Sequence, residues 1–295
     1  MSNQASLYHR FTSPLRYPGG KGALADYLKM VVTENNLFDG HYIEAFAGGG
    51  SIAWSLLFGE YVNQVHINDI DKAIYSFWVS VLESTDDLCR LIQNTRVSMS
   101  QWHKQKAIQS NPDKHSLLEL GFSTFFLNRT NRSGIIRAGV IGGKNQTGKW
   151  KLDARYNKKD LIFRIQRIAR YKNRISIYRL DGTEFIKKIL PSLPKNSLVY
   201  LDPPYYVKGK QLYQNHFSHN DHEKLAKNIQ KRKHQPWIVS YDAVPKIKNM
   251  YKSRRELCYN LSYSAQERYS GQEIMFFSDS LSIPDVSHPV ISKRN

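Results

Sequence analysis

Cysteine is nearly missing from this chain: Cys89 and Cys258 are the only two in 295 residues, far apart and outside any C-x-x-C spacing. Neither a disulfide framework nor a cysteine-based zinc site fits that pattern, and a reducing, intracellular compartment does. Long apolar runs are also missing. No stretch approaches the roughly 18 residues of a membrane span, and Met1 to Arg10 is polar, without the apolar core of a signal peptide. A cytoplasmic protein with no membrane partner is expected. Acidic residues are scarce, 25 Asp and Glu against 43 Lys and Arg, for a formal charge of +18. Such an excess of cations favours a polyanionic partner, nucleic acid first. With 41% hydrophobic and 12% aromatic residues, there is enough apolar material for one large domain, or one domain plus an insertion.

Short β-branched and aromatic segments alternate with helical patterns: His41 to Phe46 then Ser51 to Phe58, Val65 to Asn68 then Lys72 to Leu82, and later Ser197 to Leu201 and Trp237 to Ser240. That alternation implies an α/β fold with a mostly parallel sheet. From about Leu91 to Leu180 the pattern turns helical and polar, with Gly139, Gly142, Gly143 and Gly148 in a loop. This reads as an inserted module, giving a division into 1–90, 91–180 and 181–295. The insertion is strongly basic: Lys144, Lys149, Lys151, Arg155, Lys158, Lys159, Arg164, Arg167, Arg170, Lys172 and Arg174 face only Asp153 and Asp160. Leu161, Ile162, Ile165, Ile168 and Ala169 recur at helical spacing between its arginines, so one face of a helix buries while Arg164, Arg167 and Arg170 reach outward.

Asp202-Pro203-Pro204-Tyr205 follows the apolar run Leu198 to Leu201. An exocyclic amine on adenine is a poor nucleophile because its lone pair is delocalised into the ring. Acceptors aimed at its N–H bonds return that pair to nitrogen. The Asp202 carboxylate supplies one acceptor, the Pro203 carbonyl a second, and Pro203 and Pro204 fix φ near about −65°. Tyr205 offers a ring for a base that has left the duplex. Earlier, Tyr42 to Ser51 runs from a strand through Gly48-Gly49-Gly50 into a helix, and Asp69 follows about 19 residues past Gly50. That is the spacing of a ribose-binding carboxylate at the next strand end. The loop is not G-x-G-x-x-G and the chain has no phosphate-binding G-x-x-x-x-G-K-[ST], so a nucleoside without a phosphate chain fits better. Tyr17-Pro18-Gly19-Gly20-Lys21 adds an aromatic, a flexible turn and a cation.

In this order the motifs resemble those of the Dam-type (D12 class, alpha group) adenine-specific DNA N6-methyltransferases. The family's [WY]-x-G-G-K is matched by Tyr17 to Lys21, and its [VI]-E-P-F-x-G-x-G-S by Ile43 to Ser51, with Ala45 in place of proline. Its F-L-N-R is matched by Phe126-Leu127-Asn128-Arg129, and its F-x-x-x-x-H-x-x-L-A by Phe217, His222, Leu225 and Ala226. The resemblance implies a Rossmann-like, seven-stranded methyltransferase sheet with an inserted, mainly helical target-recognition domain. It implies S-adenosylmethionine as cofactor, held by Tyr17, Lys21, Phe46, Gly48, Gly50, Asp69 and Asp202, with Asp181 at its adenine edge, and no metal. Asn128, Arg129, Arg132, Arg137, Lys144, Lys149, Arg164, Arg167 and Arg170 then face double-stranded DNA. Arg132 stands where Dam enzymes carry a wedging aromatic, and Arg137 where they carry a guanine-reading arginine. The GATC target of that subgroup is therefore not carried over. Gly143 to Gln146 and Lys149-Trp150 add base-reading and stacking groups, and His222 is read as a structural histidine.

The resemblance leaves open a cognate restriction endonuclease as partner, a monomer or weak dimer, and association with the nucleoid. Rival readings are an N4-cytosine methyltransferase, which typically has serine where Asp202 stands, a protein glutamine methyltransferase with asparagine there, and a DNA-binding relative that has lost catalysis.

Overall fold

The computed structural model describes residues 12–16, 21–207, 217–264, 268–286 and 288–290. A 3-10 turn, Lys21–Leu24, leads into α1 (Ala25–Glu34), β1 (His41–Glu44), α2 (Ser51–Phe58) and β2 (Gln64–Asn68). A helical stretch follows: α3 (Lys72–Glu83), α4 (Thr85–Asn94), α5 (Met99–Ser110), α6 (Leu117–Thr130) and α7 (Lys158–Ala169). The chain then returns through β3 (Ile175–Tyr178), α8 (Gly182–Lys188), β4 (Leu198–Leu201), α9 (His219–Gln230), β5 (Trp237–Asp242), α10 (Pro245–Met250), β6 (Arg255–Ser264) and β7 (Arg268–Phe277). No helix among the described residues is long and apolar enough to cross a membrane.

The seven strands form one sheet in the order β3-β2-β1-β4-β5-β7-β6. The first five are parallel, with Ile43 opposite His66 on one side and Val199 on the other, while β7 runs antiparallel to β5 and to β6. This is the Rossmann-like α/β architecture the sequence predicts, with an antiparallel hairpin at one edge. The inner strands read as continuous apolar runs because both of their faces are covered: all of β4 and most of β1, β2 and β5 are buried. α9 shows how the sequence fixes its own orientation. Ser218 and Asp221 form a reciprocal capping box, His222, Leu225, Ala226 and Ile229 recur on one buried face, and Lys224 and Lys227 pair outside with Asp221 and Glu223.

The chain divides into two compact units, the sheet unit (Lys21–Ile70 with Arg174–Asn295) and a helical unit spanning Asp71–Asn173 with the segment around residues 12–16. The helical unit differs from the expected insertion at 91–180 at both ends. It begins earlier because α3 belongs to it: a Cβ on Gly121 of α6 would lie 2.4 Å from Ser80 Oγ and 2.7 Å from the Ser76 carbonyl oxygen of α3. Only glycine allows that approach. It ends earlier because Ile175–Tyr178 is an edge strand paired with β2. α6 is buried on every side from Leu120 to Thr130 and is the centre of this unit, and α7 buries Leu161, Ile165 and Ile168 as their spacing predicts.

Candidate active site

In an open parallel sheet, ligands bind beyond the carboxyl ends of the strands where the strand order reverses. Here that point lies between β1 and β4, which are paired with Glu44 opposite Tyr200. The glycine loop leaves the end of β1 and Asp202 leaves the end of β4, so the topology brings the two motifs together.

Asn68, at the end of β2, ties the loop into the sheet. Its amide donates to the Ala45 and Leu180 carbonyls, each at 2.9 Å, and its Oδ1 accepts the Leu180 N–H at 2.8 Å. Gly48 and Gly50 both have positive φ, and a Cβ on Gly50 would lie 2.9 Å from the Trp54 ring. Asp69 reaches back to the loop, where Oδ2 accepts the Gly48 N–H at 3.0 Å. Phe46 is half-buried, edge-on to Phe217 with centroids 5.6 Å apart, and lies over Gly182. Asp181 is exposed and caps α8 by accepting from the Thr183 and Glu184 N–H groups. A carboxylate beside a loop with no Cβ atoms, and an aromatic ring over a bare helix start, suit the ribose and adenine of a nucleoside cofactor. Phe46, Gly48, Gly50 and Asp69 are thus gathered, with Asp181 next to Gly182. Tyr17 lies outside the described residues.

Glu44 is buried below this loop. Its carboxylate accepts from the Tyr42 hydroxyl at 3.0 Å and from the Ala53 N–H, yet burial outweighs both and raises its pKa to about 8. The unfolded chain sheds this proton near the ordinary value of 4.5 and the folded chain keeps it to about 8. Folding therefore binds a proton in that window, and stability falls as pH rises through it. Glu44→Gln, which removes the titrating proton and keeps one acceptor oxygen, is expected to stabilise the chain by about 1 to 3 kcal/mol at pH 9 relative to its effect at pH 5. Urea midpoints at the two pH values check this.

Asp202 sits at the rim with its side chain 20% exposed, and Lys21 behind it is 3% exposed. The Lys21 ammonium meets Asp202 Oδ1 at 2.9 Å and Oδ2 at 3.1 Å, donates to the Tyr205 hydroxyl at 2.8 Å, and lies 3.4 Å from Glu273 Oε2. Ser240 donates to Asp202 Oδ1 at 2.9 Å, which leaves the Tyr200 hydroxyl to donate to Ser240, also at 2.9 Å. Pro203 is buried and Pro204 half-buried. One expectation changes here. Tyr205 does not present an open ring: it is buried, Lys21 lies 4.9 Å from its ring centre, and its hydroxyl donates to Glu273. Lys21 is tied to Asp202, Tyr205 and Glu273, because a buried ammonium requires acceptors.

Glu273 was not legible as a site residue. It lies on β7 with its side chain 1% exposed, and also accepts from the Tyr259 hydroxyl at 2.7 Å. Burial raises its pKa, with Lys21 opposing and Asp202 adding to the rise. The signal in the sequence is a lone acid opening the apolar run Ile274 to Phe277. His222 is the structural histidine expected: it is buried against Tyr206, Phe217 and Tyr241, bonded to the Tyr241 hydroxyl, and lowered to about 4 by burial.

The helical unit sorts its cations. Asn128 and Arg129 are buried posts rather than exposed DNA contacts. Asn128 accepts the Arg16 N–H at 2.7 Å and donates to the Arg16 and Gly134 carbonyls, while Arg129 donates to the Pro14 carbonyl. Burial beside Arg164 and Arg16 lowers the Arg129 guanidinium to about 9, still charged at neutral pH. Arg164 binds Asp160 and the Ser13 carbonyl, so it holds the same segment. Arg132, Arg137, Lys144, Lys149 and Arg170 are exposed, and Arg167 is half-buried. Trp150 is 63% exposed with Lys149 5.9 Å from its ring centre. Gln146 builds the loop instead of reading a base: it donates to the Ile141 and Gly143 carbonyls and accepts the Leu152 N–H.

The parallel sheet, the glycine loop with Asp69, and Asp202-Pro203-Pro204-Tyr205 at the switch point define an S-adenosylmethionine-dependent methyltransferase. Residues 17–269 match the profile of the D12 class N6 adenine-specific DNA methyltransferases, and the chain belongs to that family. It is an adenine-specific DNA methyltransferase. No curated protein sequence matches it at a significant level. Among solved structures it is similar to a protein of Pyrococcus horikoshii described as an RNA methyltransferase, at 10% identity and TM-score 0.42, covering 87% of this chain and 81% of the other. The rRNA methyltransferase aviRa of Streptomyces viridochromogenes is similar at 11% identity and TM-score 0.35, covering 86% and 84%. A protein of Listeria monocytogenes described as a class I S-adenosylmethionine-dependent methyltransferase is similar at 10% identity and TM-score 0.35, covering 90% and 62%.

Proposed function

We propose that the chain methylates N6 of an adenine flipped out of duplex DNA into the crevice at the ends of β1 and β4. The carrying observation is the Asp202 carboxylate, placed at the rim of the crevice and held from behind by Lys21 and Ser240. S-adenosylmethionine supplies an activated methyl group on a sulfonium. In this reading Phe46, Gly48, Gly50 and Asp69 hold it, with Asp181 at its adenine edge. Asp202 and the Pro203 carbonyl accept the two N6–H bonds and draw the lone pair back onto nitrogen. Asp202 then takes the proton that N6 must lose on becoming a secondary amine. Tyr205, with its ring buried and its hydroxyl engaged, acts on Asp202 through Lys21. Incubating the chain with S-adenosylmethionine and random-sequence duplex DNA, then identifying the methylated nucleoside, tests the reading: N6-methyladenine is expected, and no methylated base at all would overturn it.

Sequence choice belongs in this reading to the exposed part of the helical unit. Arg137 reads a guanine, a bidentate contact worth about 1 to 3 kcal/mol of discrimination. Asn131 supports the turn that carries it, donating to the Ile135 and Ile136 carbonyls while accepting from the Trp102 indole at 2.7 Å. Lys144 and Lys149 contact phosphates. Lys144→Ala with Lys149→Ala is expected to weaken binding on all duplexes alike and to flatten the slope of log affinity against log salt by about 2. Fluorescence anisotropy at several salt concentrations reads this, and a loss confined to one sequence would contradict it.

A further inference from the structure

We infer that Glu273 is a positioning residue that divides the charge of Lys21 and so sets how strongly Asp202 accepts from the target amine. The inference rests on the methyl-transfer reading above and concerns a residue that no motif marks.

The three N–H bonds of Lys21 have three acceptor groups: the Asp202 carboxylate, the Tyr205 hydroxyl and Glu273 Oε2. One positive charge is thus shared between two carboxylates. Glu273 cannot turn away, because its Oε1 accepts from Tyr205 and its Oε2 from Tyr259. The Tyr205 hydroxyl donates its hydrogen bond to Glu273 Oε1, so it meets Lys21 with a lone pair, which fixes the ammonium in place. The groups around this pair are Lys21 from the first turn, Tyr200, Asp202 and Tyr205 from β4 and its exit, and Tyr259 from β6. Glu44 on β1 and Tyr241 on β5 face Asp202.

With Glu273 ionised, the Lys21 charge is shared between the two carboxylates, at 2.9 Å from Asp202 and 3.4 Å from Glu273, and Asp202 keeps enough negative charge to accept an N6–H bond strongly. With Glu273 neutral, the ammonium turns its whole charge on Asp202 and the acceptor weakens. Burial makes Glu273 bind its proton above the ordinary range, so acidification reaches this residue early. The positioning role therefore leaves a signature in pH that a purely structural role would not.

The test compares single-turnover methyl transfer by the wild type, Glu273→Gln and Tyr259→Phe across pH, with saturating S-adenosylmethionine and duplex DNA. The wild-type rate is expected to rise along an acid limb where Glu273 loses its proton. Glu273→Gln is expected to run about 10- to 100-fold slower on the plateau and to lack that limb. Tyr259→Phe removes one donor to Glu273, so its limb should move to higher pH, which keeps the proposal testable should the glutamine variant fold poorly. A second readout needs no turnover: in the ligand-free protein the 13C carboxylate signal of Glu273 should titrate at lower pH after Asp202→Asn, because the like charge that raises it is gone. A Glu273→Gln profile that overlays the wild type, a Tyr259→Phe limb that stays in place, or a Glu273 signal indifferent to Asp202 would overturn the inference. A wild type that transfers no methyl group would instead remove the reading on which it rests.

Discussion

Asp202→Asn is expected to slow methyl transfer by about a thousandfold or more while S-adenosylmethionine and duplex DNA still bind. Asparagine keeps the size of the side chain but reverses the polarity of one end. The buried Lys21 ammonium, 2.9 Å from Oδ1, holds the amide oxygen and repels the NH2 group. The NH2 group then takes the Oδ2 position, itself 3.1 Å from Lys21, and replaces one of the carboxylate's acceptors with a donor. Asp202→Ala fails differently. It takes from the buried ammonium its nearest carboxylate and opens a space at the rim, so part of its loss comes through stability. The pair of variants separates chemistry from scaffold: both should lose turnover, and the alanine variant should also lose a measurable part of its urea midpoint. Single-turnover rates with cofactor and DNA saturating, together with binding isotherms, decide the matter. An asparagine variant within a few-fold of the wild type would mean that Asp202 does not accept from the amine.

The sequence made the strand-end motifs legible because each is local. A strand, a glycine loop and a helix follow one another from Tyr42 to Phe58, and Asp69 closes the next strand at a spacing set by one βαβ unit. The partners of those motifs were not legible, because the sheet order brings them together from distant parts of the chain. Glu273 reaches Lys21 only because β7 inserts between β5 and β6, a hairpin arrangement that no local pattern in Arg255 to Phe277 specifies. The F-L-N-R residues show the opposite failure. Their charge and their motif suggested DNA, but α6 is buried on every face from Leu120 to Thr130, and that stretch has no exposed side from which to reach a phosphate. Tyr205 failed for the same reason: a motif specifies a residue type, and only packing decides whether its ring is open.

Gly182→Val is expected to raise the dissociation constant for S-adenosylmethionine by about 10- to 100-fold with a modest loss of stability, about 1 to 3 kcal/mol. A Cβ at this position would lie 2.3 Å from Phe46 Cζ and 2.7 Å from Cε1, and no real contact of that kind exists at such distances. Either the ring moves or the start of α8 moves. The helix start is held by Asp181, which accepts from Thr183 and Glu184, and Phe185 and Ile186 are fully buried behind it. The ring is half-buried, packed against the core cluster on one side and edge-on to Phe217, whereas the helix start is fixed by backbone hydrogen bonds, so the ring is the part that yields. It then leaves the position proposed for the adenine of the cofactor. Titration calorimetry on the single variants and on a Phe46→Leu background isolates the cause. With the shorter side chain in place the added Cβ meets less, so Gly182→Val should cost clearly less affinity there than in the wild type, a non-additivity of about 1 kcal/mol or more. Strictly additive losses would place the effect in α8 and remove Phe46 from the cofactor site.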